Sequence, residues 1–361
     1  MRAKLQRIVI DNCGSYLGMQ KGCFVVKDRE GNVQRFPMFE NEIGEIVLTG
    51  GNFVSTSVLA SCGFWDIPIT IMTKNFKPIA VLKSLDDDSH VKTRIAQYEA
   101  LKNGKGITIA KTIVESKIES QNIILKRYSL KQLDIMTLKA KIEKLESNNL
   151  KDLRKRLLPI EGKASEHYFH EIFKLFPKAI RTEQRKTWKA YDSLNNTFNL
   201  AYTLLKFRVH SAILKAHLEP YLGFMHSEQH GKPSLVCDFC ELYRYIIDSF
   251  LIDFSQNLKP KDFIVKTEWY STNRLGKRQV LNREKTKELT ENLNRFFETK
   301  VPISRIRYGF KQQIETLINE EALLFAKYLR DEREQWIPRI IQLNPFFHPR
   351  FMRMRKNFLS F

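Results

Sequence analysis

The chain has 361 residues, 43% hydrophobic and 28% charged, an ordinary globular composition with room for two domains and a sizeable core. Its formal charge of +20 and pI near 9.6 are not ordinary, because so many unopposed cations repel one another unless a polyanion is at hand. No apolar run is long enough to cross a bilayer and no segment carries one purely basic face, so nucleic acid is expected rather than an anionic membrane surface.

The N-terminus alternates Arg2, Lys4 and Arg7 with apolar residues and lacks an apolar signal core, so export is not expected. Five cysteines, an odd number thinly spread, argue against a disulfide framework and for a reducing cytoplasm. Residues 1–85 read as a β-rich domain. Segments 7–10, 23–27, 33–39, 45–49, 66–73 and 78–82 are short runs rich in β-branched and aromatic residues, with Glu30-Gly31-Asn32 as a turn. One short helix is expected over 54–62, started by Ser55 or Thr56. The run Asp86-Asp87-Asp88 reads as a solvated linker, 86–92, rather than a metal site.

From residue 93 to 335 the apolar spacing turns helical. One helical region covers 116–156 and is closed by Pro159, and further helices are expected at 165–176, 194–217, 235–254, 285–298 and 304–335. This predicts an α+β protein, a small N-terminal β domain followed by a larger all-α domain. Between those helices, Arg274, Lys277, Arg278 and Arg283 crowd into a turn or hairpin suited to DNA phosphates. Residues 336–361 form a tail in which Arg350, Arg353, Arg355 and Lys356 interleave with Phe346, Phe347, Phe351 and Phe358. Such a tail either stacks on single-stranded bases or docks on the chain's own core.

Two islands carry ionisable chemistry. In the first, Glu161 sits between Pro159 and Gly162 where a helix is expected to begin. In the second, His226 lies in a loop punctuated by Gly231 and Pro233, and Ser234 is placed to cap a helix carrying Asp238 and Glu241 three residues apart. Two carboxylates and an imidazole from separate elements suit a hard or borderline divalent ion, magnesium or manganese before zinc. Such a site leaves positions open for water and phosphate oxygens. Taken one at a time, a Glu beside a Gly is also what a solvated helix face looks like, and a lone His is also a surface or hydrogen-bonded core residue. Cys237 and Cys240 form a C-x-x-C with no second pair to complete a zinc site, and read as helix residues turned inward. His230, in the Gly-Lys-Pro loop, reads as a surface or DNA-contacting residue.

At these residues the sequence resembles the CRISPR-associated integrase of spacer acquisition, the universal first CRISPR-associated protein. The resemblance is carried by Ile160-Glu161-Gly162 with Tyr168-Phe169, by Asp192-Ser193-Leu194-Asn195, by Gly223-Phe224-Met225-His226, and by the run from Gly231 to Glu241. Pro37-Met38, the run 45–51 and Arg94 to Tyr98 extend it into the β domain. The resemblance implies a dimerising β domain and a helical catalytic domain in which Glu161, His226 and Glu241 hold Mg2+ or Mn2+. It implies a supporting role for Asp238 and a DNA-facing role for Lys232. The implied activity is that of a metal-dependent DNA endonuclease and integrase. A 3′-hydroxyl of a short donor duplex attacks a phosphodiester at the end of a CRISPR repeat, and related activity is expected on branched DNA. A homodimer is implied, bridged to another by a dimer of the second, small CRISPR-associated protein. Glu166 departs from the family's usual basic residue. Two alternatives remain: the casposon-type transposon integrase of the same fold, and a non-catalytic, structure-selective DNA-binding protein.

Overall fold

The computed structural model describes residues 6–38, 43–65, 67–73, 78–82, 84, 91–271, 274–302 and 311–341. The chain forms two compact units, Met1–His90 and Val91–Phe361. The Asp86–Asp88 run and most of the expected linker lie outside the described residues, as do residues 342–361 of the tail.

In the first unit the strands are β1 (Gln6–Ile10), β2 (Tyr16–Gln20), β3 (Cys23–Lys27), β4 (Val33–Pro37), β5 (Ile43–Thr49) and β6 (Phe53–Val54). Helix α1 (Thr56–Phe64) follows, then β7 (Ile69–Met72) and β8 (Pro78–Leu82). One sheet runs β1-β5-β7-β8, parallel except for β8. The other runs β4-β3-β2-β6, antiparallel except where β6 joins β2. The expected turn is present: Gly31 has φ +87°, and the Asp28 carboxylate accepts from the N–H groups of Glu30 and Asn32, each at 2.9 Å. Ser55 caps α1 by accepting from Val58 N. Ile8, Leu17, Phe24, Ile46, Leu48, Val58 and Cys62 fill the core from both sheets and the helix. Strands β2 and β6 were not anticipated, since Gly18 weakens the β signal of the first and the second has two residues.

The second unit begins with helices α2 (Val91–Ala100), α3 (Gly104–Arg127), α4 (Ile135–Glu143), α5 (Leu150–Phe173) and α6 (Ser193–Lys215). It continues with α7 (Ser234–Glu241), α8 (Arg244–Ser255), β9 (Phe263–Ser271), β10 (Arg274–Leu281) and α9 (Arg283–Phe297). Strands β11 (Lys300–Pro302) and β12 (Lys311–Gln313) and helix α10 (Ile314–Leu329) complete it. The unit is helical as expected, with two antiparallel ribbons, β9–β10 and β11–β12, added to it. The basic run expected as a turn or hairpin supplies the second strand of the first ribbon, with Arg274, Lys277 and Arg278 on β10, whereas Arg283 opens α9. Asn103, Asn149 and Asp192 cap α3, α5 and α6 through side-chain oxygens that accept from the first helical turn.

The region expected as helical over 116–156 is shared by α3, α4 and α5, and the helix expected over 304–335 is strand at 311–313 and helix over Ile314–Leu329. Three further differences from expectation matter to the site. Pro159 does not close a helix but lies inside α5, so Glu161 is a mid-helix residue. The missing N–H and ring clash of an interior proline cost about 3 kcal/mol. What carries the helix across is one continuous buried face of Leu153, Leu157, Ala164, Tyr168 and Ile172, packed largely on α3. The helix expected over 235–254 is two helices, broken at Leu242 and Tyr243, whose N–H groups bond three residues back to Phe239 and Cys240. Both side chains at the break are buried, so packing overrides helical propensity there. Finally, Ser234 is the first residue of α7 rather than its cap, and its hydroxyl donates to Ser227 O at 2.8 Å.

The start of the tail docks on the protein core. Trp336 Nε1 donates to buried Glu321 at 2.8 Å, its ring stacks 5.8 Å from Phe239 of α7, and the Tyr245 hydroxyl bonds both N–H and C=O of Ile341.

Candidate metal centre

Helices α3, α5 and α7 bring the site together. Glu161, midway along α5, accepts from Ser165 Oγ at 3.0 Å one turn on and forms a salt bridge with Lys117 of α3. Glu241, the last residue of α7, is buried and lies 2.7 Å from the same Lys117 Nζ through Oε2, while its Oε1 takes Arg244 Nη1 at 2.5 Å. A carboxylate at a helix C-terminus opposes the helix dipole, and these two cations offset that. Burial alone would raise the Glu241 pKa, but Arg244, Lys117 and His226 overcome it and hold the carboxyl at about 2. Burial likewise disfavours the Lys117 ammonium, yet Glu241 and Glu161 outweigh it and raise its pKa above the ordinary value.

His226 is placed by a loop that the sequence accounts for closely. Asp238, wholly buried on α7, accepts from the N–H groups of Phe224 (2.5 Å), Met225 (3.0 Å) and His226 (2.9 Å). Its Oδ1 also meets His226 Nδ1 at 2.6 Å, which leaves Nε2 as the nitrogen for any further partner. Gly223 makes the close approach possible: a Cβ there would lie 2.7 Å from the Ser234 carbonyl carbon and 2.8 Å from His226 O. Arg154 of α5 ties down the other side, donating to Gly223 O at 2.6 Å and Phe224 O at 2.8 Å. Asp238 and Glu241 therefore serve different neighbours, although both sit on α7. One braces the histidine loop and the other faces Lys117 and Arg244.

Among the described residues, no three His, Cys, Asp or Glu side chains are already gathered at metal-ligand spacing. Glu161 and Glu241 meet instead across the ammonium of Lys117. The Glu241 Oε2 contact is an ion pair without hydrogen-bond geometry, so a buried carboxylate oxygen keeps a lone pair with no directed donor. Two carboxylate oxygens turned to one cation are donors of the kind a hard or borderline divalent ion takes, and the Asp-braced imidazole acts on Glu241 electrostatically, helping to lower its pKa. Lys117, Arg154 and Arg244 were missed from the sequence. A lysine in the apolar stripe of α3, among Ile113, Val114, Ile118 and Ile124, was the available signal, since Lys is almost never buried unless paired.

The basic residues lie elsewhere. Lys232 is half-buried in the loop, where a bridge joins it to Gln229, and His230 is exposed. Lys277 is exposed and Arg278 half-buried on β10, which is tied to the start of α6 through Asn196 Nδ2 to Gln279 O at 2.9 Å. Arg274 begins β10, and its side chain lies outside the described residues. Cys237 is half-buried and Cys240 buried, both free, as expected for inward-turned helix residues. Among the described residues no helix is long and apolar enough to cross a membrane.

Fold and site together define a two-unit α+β protein whose helical unit holds an acidic pair beside a braced imidazole. The sequence profile of the family described as "CRISPR associated protein Cas1" matches residues 8–288. The chain belongs to the Cas1 family. The CRISPR-associated endonuclease Cas1 of Korarchaeum cryptofilum is 26% identical over 274 residues, covering 71% of this chain and 80% of that one. Among solved structures, "Casposase bound to integration product" matches with a TM-score of 0.75 at 20% identity, covering 99% of both chains. A Cas1 protein from Thermotoga maritima matches at 0.69 and 20% identity, over 90% and 97% of the respective chains. At those identities the two structural likenesses are likenesses of fold.

Proposed function

We propose that this chain is a divalent-metal-dependent DNA integrase and endonuclease of CRISPR adaptation, joining the 3′-hydroxyl of a short donor duplex to a phosphodiester at a repeat end. The observation that carries this reading is the meeting of Glu161 and Glu241, from different helices, on one cation position beside His226. Glu161, Glu241 and His226 Nε2 would hold Mg2+ or Mn2+. When bound, such an ion polarises the phosphoryl group and stabilises charge on the attacking and leaving oxygens.

The protein's own part is placement. Asp238 fixes the imidazole plane and keeps Nδ1 engaged, so only Nε2 is presented. Arg244 holds one Glu241 oxygen and leaves the other for the site. The excess of 20 positive charges draws in DNA, with Lys232, Arg274, Lys277 and Arg278 as phosphate contacts. Family membership extends the proposal to a homodimer bridged by a dimer of the second, small CRISPR-associated protein.

The test is strand transfer on branched and half-site DNA with Mn2+, Mg2+ or chelator. Wild type should be active only with metal. Glu161→Ala, His226→Ala and Glu241→Ala should each be inactive while still binding DNA, and activity retained in all three would reject the site. A second reading, integration of a transposon end, draws on the casposase fold that covers 99% of both chains. Preference for transposon ends over CRISPR repeats in the same assay would select it.

A further inference from the structure

Lys117 is 8% exposed, on a helix face otherwise lined by Ile113, Val114, Ile118 and Gln121. A lysine is buried this deeply only when its charge is matched, and here two carboxylates from two other helices match it. Those carboxylates, on α5 and α7, would repel each other without a cation between them. The ammonium therefore holds the pair together in the absence of any ion. It does so with the same oxygen lone pairs that an ion needs, Glu161 Oε1 and Glu241 Oε2.

The two kinds of cation cannot share that position. Arg244 anchors the second oxygen of Glu241 at 2.5 Å, so the carboxylate keeps its place when Oε2 changes partner. The Oε2 contact is also the one without hydrogen-bond geometry, while the four-carbon stem of Lys117 can swing. We propose that Lys117 is a built-in counter-cation of the Glu161–Glu241 pair, which a divalent ion must displace in order to bind. This rests on the metal-binding role proposed for those glutamates. Its consequence is that the apparent ion affinity is lowered by the fraction of molecules in which Lys117 holds the position. The vacated ammonium, still on its stem, becomes accessible once an ion is seated.

Two measurements on the full-length protein test this. In Mn2+ titrations followed by the electron paramagnetic resonance signal of the free ion, Lys117→Met should bind at least about tenfold more tightly than wild type. Glu241→Gln should bind more weakly. In wild type, labelling of Lys117 by an amine-reactive reagent, read by peptide mass spectrometry, should rise several-fold when Mn2+ is added. This second readout needs no variant, so it decides the matter if Lys117→Met does not fold. Unchanged or weaker binding by a folded Lys117→Met, or labelling indifferent to Mn2+ while Glu241→Gln still impairs binding, overturns the displacement and leaves the metal site standing. Mn2+ binding that ignores Glu241 altogether removes both.

Discussion

Asp238 holds His226 at two points, through the backbone N–H at 2.9 Å and ring Nδ1 at 2.6 Å, from a position with no exposure to solvent. Its other oxygen takes two more backbone donors, so one buried carboxylate organises the whole turn from Phe224 to His226. Asp238→Ala strands two buried N–H groups and the half-buried one of His226, and should lower stability by about 2–4 kcal/mol in denaturant unfolding. Asp238→Asn keeps the volume but gives up one accepting oxygen, and should cut strand transfer at least about tenfold with a smaller stability loss. An alanine variant that unfolds at the wild-type midpoint would show that Asp238 does not brace the loop.

The two glutamates should differ in stability although both are needed for transfer. Glu241→Ala takes from buried Lys117 one of its two anions and from half-buried Arg244 its carboxylate partner, a loss of about 2–3 kcal/mol. Glu161, with a side chain 20% exposed, should lose less on the same change. Because the Glu241 carboxyl is held at about 2, below its ordinary 4.5, its contribution is complete above pH 4.5 and declines as pH falls through 2. Acid titration of unfolding in wild type and Glu241→Gln should converge at the acid end of that window.

Asp248 behaves in the opposite sense. It is enclosed with the hydroxyls of Tyr168 (2.7 Å) and Tyr202 on its oxygens, and burial outweighs those bonds and two nearby arginines to raise its pKa to about 6. A folded carboxyl that holds its proton more tightly than the unfolded one favours folding at low pH, so this contribution shrinks as pH rises from about 4 to about 6. Asp248→Asn should abolish that slope, gaining on wild type by on the order of 3 kcal/mol across the window. Parallel stability–pH curves for the two proteins would contradict it.

Pro159 is exposed inside α5. Replacing it with alanine restores a helical hydrogen bond and removes a ring clash, against a gain of freedom in the unfolded chain. Pro159→Ala should therefore raise stability by about 1–2 kcal/mol, visible as a higher Tm. A lower Tm would mean that the proline conformation itself is needed to seat the helix on α3.

DNA binding should weaken steeply with salt, the logarithm of affinity falling linearly with that of salt concentration. Lys232→Ala and Lys277→Ala should each reduce that slope by about one, since each removes one phosphate contact. A slope indifferent to both changes would move the DNA path away from the loop and the β9–β10 ribbon.

Much of the architecture is legible from pattern alone. The β runs around Arg7–Ile10 and Cys23–Lys27, the Gly31 turn, the Ser55 cap and the basic hairpin all rest on local rules, and local rules are readable in a linear string. The His226 loop belongs here too, since Gly223, Gly231 and Pro233 punctuate it. The breaks at Leu242–Tyr243 and the continuity through Pro159 were not legible. In both, burial of side chains against other helices outweighs local propensity, up to about 3 kcal/mol in the case of the proline.

Alone, the string of residues determined the two-part α+β layout, the strong positive charge and the presence of an acid–imidazole island, because composition and short-range periodicity carry those properties. The tertiary structure decided which groups face one another: Lys117 between Glu161 and Glu241, Arg154 beneath the histidine loop, and Asp238 turned from its helix neighbour Glu241 toward His226. The physical reason is that a buried charge selects its partner by proximity in three dimensions, and residues on α3, α5 and α7 become neighbours only when their apolar faces pack.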